Sequence, residues 1–158
     1  MKATAELARW AARDFVFNLE AIPADRLDWK PSPEAKSALQ MAGEVAGGAA
    51  GIIPVLQGGD WAPSPNPAPA SLEEARQMVL EQADAYAAAL EAADPGPLRR
   101  TLELPFGKFL AERFVLFPVI ELFHHRGQLC YLQSLLGDAE VRFDPEASDR
   151  FFNPPGGA

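Results

Sequence analysis

Proline limits what this chain can become. All but two of its 15 prolines, Pro54 and Pro118, lie outside the stretches with helical periodicity. A proline inside a helix removes one hydrogen bond and collides with the carbonyl one turn earlier, so these prolines mark where helices stop. Four segments remain in which apolar residues recur every three or four positions. The first runs from about Ala3 to Glu20, carrying Leu7, Trp10, Ala11 and Phe15 on one face. Pro23 ends it. A connector, IPADRLDWKPSPEAK, follows, and its Leu27 and Trp29 predict that it packs down onto the body.

The second helix is predicted from an N-cap at Ser37 to about Leu56, with Met41, Glu44, Gly48, Ile52 and Val55 along one stripe and Pro54 near its end. Four glycines between Gly43 and Gly51 weaken its intrinsic helicity by up to about 1 kcal/mol each, which predicts close approach of a neighbouring backbone. After the loop GGDWAPSPNPAPA, Ser71 opens the third helix in a capping box with Glu74, and Leu72, Ala75, Val79, Gln82 and Tyr86 form its inner face. DPGP breaks the chain again, and RRTLELPFG is long enough only for an extended link or a small hairpin. The fourth helix is expected over roughly Phe109 to Leu136, kinked or delayed at Pro118 and stopped by Gly137. The remaining residues read as a short irregular tail, packed in part through Phe143, Phe151 and Phe152 before fraying.

At 158 residues the chain has the length of about one domain and can bury a core without a disulfide or structural zinc. The fold class expected is all-α, with helices packed as a bundle. Fourteen basic against 22 acidic residues give a net charge of −8, and no Lys/Arg-rich run is present to neutralise a row of phosphates. Nucleic acid and membrane are therefore not expected partners. The opening segment carries Glu6, Arg9, Arg13 and Asp14 where a signal peptide would be apolar, and a cytoplasmic location is expected. The single cysteine, Cys130, has no partner for an internal disulfide and reads as a core thiol.

Chemistry concentrates on the last helix. Phe114, Pro118, Glu121, His125, Gln128, Leu132 and Leu135 follow in steps of three and four and are expected to share a core-facing stripe. Glu121 and His125 are adjacent on it, and Glu44 occupies a similar position on the second helix. A carboxylate left alone in an apolar interior costs several kcal/mol, so groups placed there pair with a cation, shift their proton affinity or ligate a metal. Two readings stand side by side: an ordinary i,i+4 pair worth a few tenths of a kcal/mol with Glu44 in solvent, or three ligands from two helices. His124, three residues after Glu121, competes with His125 for the third place. Arg126 reads as the partner of a carboxylate on another helix, with Asp14 a candidate.

The run ELFHHRGQLCYL, preceded by LPFG, together with LDWKPSPEAKS ahead of the second helix, resembles the DinB/YfiT-like family of metalloenzymes, a damage-inducible group unrelated to the DNA polymerase of similar name. The resemblance spans Leu7 to about Gly137. It implies a four-helix bundle of DinB/YfiT type over residues 1–140 with a tail over 141–158, often homodimeric, in which three histidines hold a divalent ion such as zinc or nickel. Transferred residue by residue, the last histidine falls on His125, the one before it on Glu121, and that of the second helix on Glu44. Two of three positions therefore depart from the pattern, yet both carry a side chain able to donate oxygen. Two carboxylates offset the charge of a divalent ion, so Lewis acidity is expected to be weaker than with three imidazoles, and the preference moves from zinc alone towards manganese or iron, while abundance and the affinity order of divalent ions still favour zinc or nickel. Some members of the family use low-molecular-weight thiols such as bacillithiol or mycothiol. That implies a metal-dependent thiol S-transferase acting on small electrophiles; the alternative is a non-catalytic metal-binding or stress-response protein acting through a dimer surface.

Overall fold

A computed structural model describes residues 1–154. Among them, helices α1 (Lys2–Glu20), α2 (Ala38–Leu56), α3 (Leu72–Ala92) and α5 (Phe117–Leu135) carry most of the chain, with short helices α4 (Ala111–Phe114) and α6 (Pro145–Phe152). Strands β1 (Thr101–Leu104) and β2 (Gly107–Leu110) form an antiparallel hairpin around Pro105 and Phe106. Gly107 turns it with a φ of 145°, a conformation that a side chain resists. The architecture is mostly helical; the hairpin is a small exception to the all-α expectation.

The long helices pack in the cyclic order α1, α3, α2, α5. Phe15, Leu19, Met41, Val79, Leu122 and Leu129 meet at one end of the core, and Ala8, Ile52, Val55, Tyr86, Leu90 and Val115 at the other. Helix α2 is buried nearly all round, as a helix apolar on every side should be. By length and composition it would also pass for a membrane span, but about two-thirds of that window is covered by the rest of the fold. Its start is a reciprocal capping box: Ser37 Oγ accepts from Gln40 N–H, and the Gln40 side chain accepts from Ser37 N–H. At α3 only half of the expected box forms. Ser71 Oγ accepts from Glu74 N–H at 3.1 Å, while the Glu74 carboxylate reaches Ala70 N–H at 2.7 Å. On the same helix Ala83, not Gln82, continues the buried face.

The backbone that the glycines of α2 admit belongs to a loop. A Cβ on Gly43 would stand 2.5 Å from Pro67 O, one on Gly51 2.8 Å from Ala62 O, and one on Gly47 would overlap the Asn66 carboxamide. The proline-rich segment is thus laid along α2. A loop that lacks its own ladder hydrogen bonds needs such a surface, and proline lowers the entropy lost in adopting one shape.

Pro118 delays the last helix rather than kinking it. Residues Phe109 and Leu110 are strand, α4 takes one turn, and α5 begins at Phe117 with Pro118 in its first turn, where the missing N–H costs nothing. Tyr86 O–H donates to Val115 O at this break, at 2.5 Å.

The tail is not irregular. Asp144 caps α6 by accepting from Ala147 N–H at 3.0 Å, Phe151 stacks on Trp10 with centroids 5.3 Å apart, and Phe143 lies under the Arg126 guanidinium at 4.4 Å. An aromatic platform on α1, invisible to helix periodicity in the tail alone, orders it. Fraying beyond residue 154 lies outside the described residues.

Candidate functional site

The face of α5 turned to the core is Pro118, Val119, Leu122, His125, Leu129, Leu132 and Gln133. That corrects the expected stripe by about one residue: Glu121 and Gln128 sit on its rim, and Leu135 is exposed. His125 alone of the ionisable candidates is fully buried, at 1% exposure.

The rim placement still brings the three groups together. His125 Nε2 lies 3.2 Å from Glu44 Oε2 on α2 and 3.3 Å from Glu121 Oε2 one turn earlier on α5. The two carboxylates are about one-quarter exposed, so each reaches inward to His125 with its other side towards solvent. His124 is exposed, and its Nε2 lies 3.1 Å from Gln128 Nε2. His125, not His124, faces the carboxylates.

Gln128 decides the state of the buried ring. Its Oε1 is 2.7 Å from His125 Nδ1, and an amide oxygen only accepts, so Nδ1 carries hydrogen. Nε2 is left facing two carboxylate oxygens, and it has no hydrogen-bond partner of acceptable geometry. Between two anionic oxygens, Nε2 is the ring atom where a positive species, a proton or a metal ion, would be held.

One cation is already close. Lys36, from the PSPEAKS segment, places Nζ 2.5 Å from the same Glu44 Oε2. The donor types suit a hard divalent ion, and separations of 3.2 to 3.3 Å fall within what two ligands about 2.1 Å from one ion subtend. Among the described residues, however, no group of three or more His, Cys, Asp and Glu side chains is arranged to hold a metal ion as it stands. Both close contacts run through His125, and Lys36 holds the Glu44 oxygen.

The cluster opens on a cavity of about 490 Å³. Glu44, Gly48 and Ile52 of α2, Trp61 and Asn66 of the loop, Phe106 of the hairpin, Phe114 of α4, and Phe117 and Glu121 of α5 contribute to its wall. A smaller cavity of about 280 Å³ between α1 and α6, lined in part by Arg9, Trp10 and Arg13, shares no lining residue with this one. Sequence reasoning missed Lys36, Trp61 and Asn66, because loop residues carry no periodicity. Only the position of Lys36 in PSPEAKS, just ahead of the Ser37 cap, pointed that way.

Below the cluster, Arg126 Nε donates to Asp14, as the sequence suggested, and Asp14 Oδ1 accepts from Asp144 N–H at 2.9 Å. Arg126 Nη2 also donates to Arg142 O at 2.6 Å. Gln133 Nε2 donates to Asn18 O at 2.6 Å, and the Cys130 thiol points at Asn18 Oδ1 at 3.5 Å. This network fastens α1, α5 and the C-terminal segment, and Cys130 has a structural setting in it.

The fold and site together define a helical protein with a carboxylate–imidazole cluster at the edge of its core. The sequence model of the DinB superfamily matches residues 7–129, and the chain belongs to that superfamily. Among solved structures it is similar to a DinB-like protein, YjoA, from Bacillus subtilis, with a TM-score of 0.71 at 17% identity, covering 89% of this chain and 95% of that one. That likeness is one of fold. No protein of curated function matches the sequence.

Proposed function

We propose that Glu44, Glu121 and His125 hold a divalent ion, with Lys36 moving aside, and that the protein is a metal-dependent transferase joining a low-molecular-weight thiol to a small electrophile. The observation that carries this reading is His125: buried, fixed through Nδ1 by Gln128, with Nε2 unbonded between two carboxylate oxygens. An outer partner that orients the ring by holding the opposite nitrogen is the usual arrangement for a ligating histidine.

Such an ion, zinc or nickel by affinity order and manganese or iron by ligand hardness, would lower the proton affinity of a coordinated thiol. The protein's own contribution is positional. Gln128 holds the imidazole, α2 and α5 hold the two carboxylates, and the aromatic wall offers an apolar surface to the electrophile. Sulfur forms its bond to the electrophilic carbon, the leaving group departs with its electron pair, and the thiol proton passes to solvent through the open side of the cavity.

A second reading is favoured by Lys36. With its ammonium on Glu44, one of the two carboxylates is already offset without a metal, which suits a non-catalytic stress-response protein acting through its surface. Phe117, Ile120, Tyr131 and Leu135 form an exposed apolar stripe on α5, and Gly127 lies within it with nothing inside 4 Å of where a Cβ would be. A glycine in mid-helix is unfavourable by up to about 1 kcal/mol, and no neighbour in the monomer requires it. We read this face as the contact of a homodimer in either case.

The test is a conjugation assay on protein purified without an affinity tag, combining small thiols with a reactive electrophile. Metal-dependent, thiol-dependent turnover that is lost in His125→Ala supports the transferase. No turnover with any of zinc, nickel, manganese or iron rules it out in favour of the second reading.

A further inference from the structure

Charge and shape of the cavity limit what it admits. Its wall is aromatic, from Trp61, Phe106, Phe114 and Phe117, with Trp61 and Phe106 edge to face at 5.5 Å. Its only ionisable lining groups among the described residues are Glu44 and Glu121, and no lysine or arginine lines it. Gly48 leaves part of the floor open, for a Cβ there would meet nothing within 4 Å. About 490 Å³ is the size of an ordinary small-molecule site.

We propose that this cavity takes a neutral or cationic small molecule with a flat apolar body, and turns away molecules bearing a carboxylate or phosphate at that end. The proposal deepens the reading of the cavity as the substrate site and rests on it. Flat apolar groups gain most by stacking on the aromatic wall, and a cationic end gains from both the rings and Glu121. An anion meets Glu121, which no lysine or arginine offsets, beside Glu44, whose charge Lys36 offsets, in a partly desolvated cleft on a chain of net charge −8. A thiol entering here would therefore be one without a carboxylate at the buried end.

Three probes of like size separate these terms: 2-naphthylmethylamine, 2-naphthylmethanol and 2-naphthoate, titrated calorimetrically in the presence of a chelator. The amine should bind at least tenfold more tightly than the naphthoate, with the alcohol between them. Gly48→Leu, whose Cβ would meet nothing within 4 Å and whose side chain would occupy the floor, should weaken the amine at least tenfold with helix content unchanged. Glu121→Gln should bring naphthoate to within about threefold of the amine. Equal binding of amine and naphthoate, binding of the amine undiminished in Gly48→Leu, or binding of none of the three would overturn the proposal. Because the chelator removes any metal, the expected order in a protein that retains no metal would leave the cavity assignment standing and sink the transferase reading alone.

Discussion

Lys36 Nζ lies 2.5 Å from Glu44 Oε2, and the same oxygen lies 3.2 Å from His125 Nε2. The lysine thus supplies positive charge where a divalent ion would, and the two compete for one carboxylate. Lys36 is nearly half exposed, so its release costs little beyond the ion pair, worth up to about 1 kcal/mol at such a site. Lys36→Met is expected to tighten divalent-ion binding by up to about fivefold, read by calorimetry, and to leave the fold intact. Weaker binding in that variant would make the lysine a support of the site and not a competitor.

Glycines of α2 should respond to alanine with opposite signs. At Gly43 the new Cβ meets the Pro67 carbonyl, a backbone atom that cannot swing away, so Gly43→Ala is expected to destabilise by about 1–3 kcal/mol. At Gly48 the space is open, and Gly48→Ala should stabilise by up to about 1 kcal/mol through helix propensity. Urea denaturation of the two variants reads the difference directly, and equal effects would show that the loop does not press on α2.

Asp14 is fully buried, and Arg126 is its cationic partner. Removing the guanidinium in Arg126→Met leaves a buried carboxylate unpaired and should cost about 3 kcal/mol. Asp14→Asn combined with Arg126→Met should recover part of the loss, since no charge is then left uncompensated. Additive losses in the double variant would mean that the two side chains act independently.

Alkali should act through Tyr86. Burial pushes its phenol well above the ordinary tyrosine range. The folded state holds the protonated form, so its contribution to stability is full below the unfolded value near pH 10 and is lost as pH rises through the higher folded value. In a titration followed at 295 nm, one tyrosinate transition should coincide with loss of helix, and Tyr86→Phe should remove it. Ionisation of Tyr86 with the helices intact would contradict the burial argument.

How far the chain was legible follows from where each signal is stored. Ser37, Ser71, Pro23 and Gly137 mark helix ends locally, and the helices begin or end beside them. The pairing of Arg126 with Asp14 was readable because a buried cation on α5 needs an anion from another element. The inward set on α5 was misphased by about one residue: Leu122, Leu129 and Gln133 compete for the same arc as Glu121 and Gln128, and tertiary packing chooses between adjacent arcs. Lys36 and Trp61 come from segments without periodic structure, where only the folded path brings distant residues together. Helix α6 depends on Trp10, more than 130 positions away, and no reading of the tail by itself contains that contact.

The central claim is that one divalent ion sits among Glu44, Glu121 and His125, and calorimetric titration of chelator-stripped, untagged protein with manganese and with zinc addresses it most directly. One site per chain is expected, lost in Glu121→Ala and in His125→Ala and retained in His124→Ala, with helix content unchanged in all three. Binding that survives in both Glu121→Ala and His125→Ala, or no binding by the unmodified chain, would contradict it.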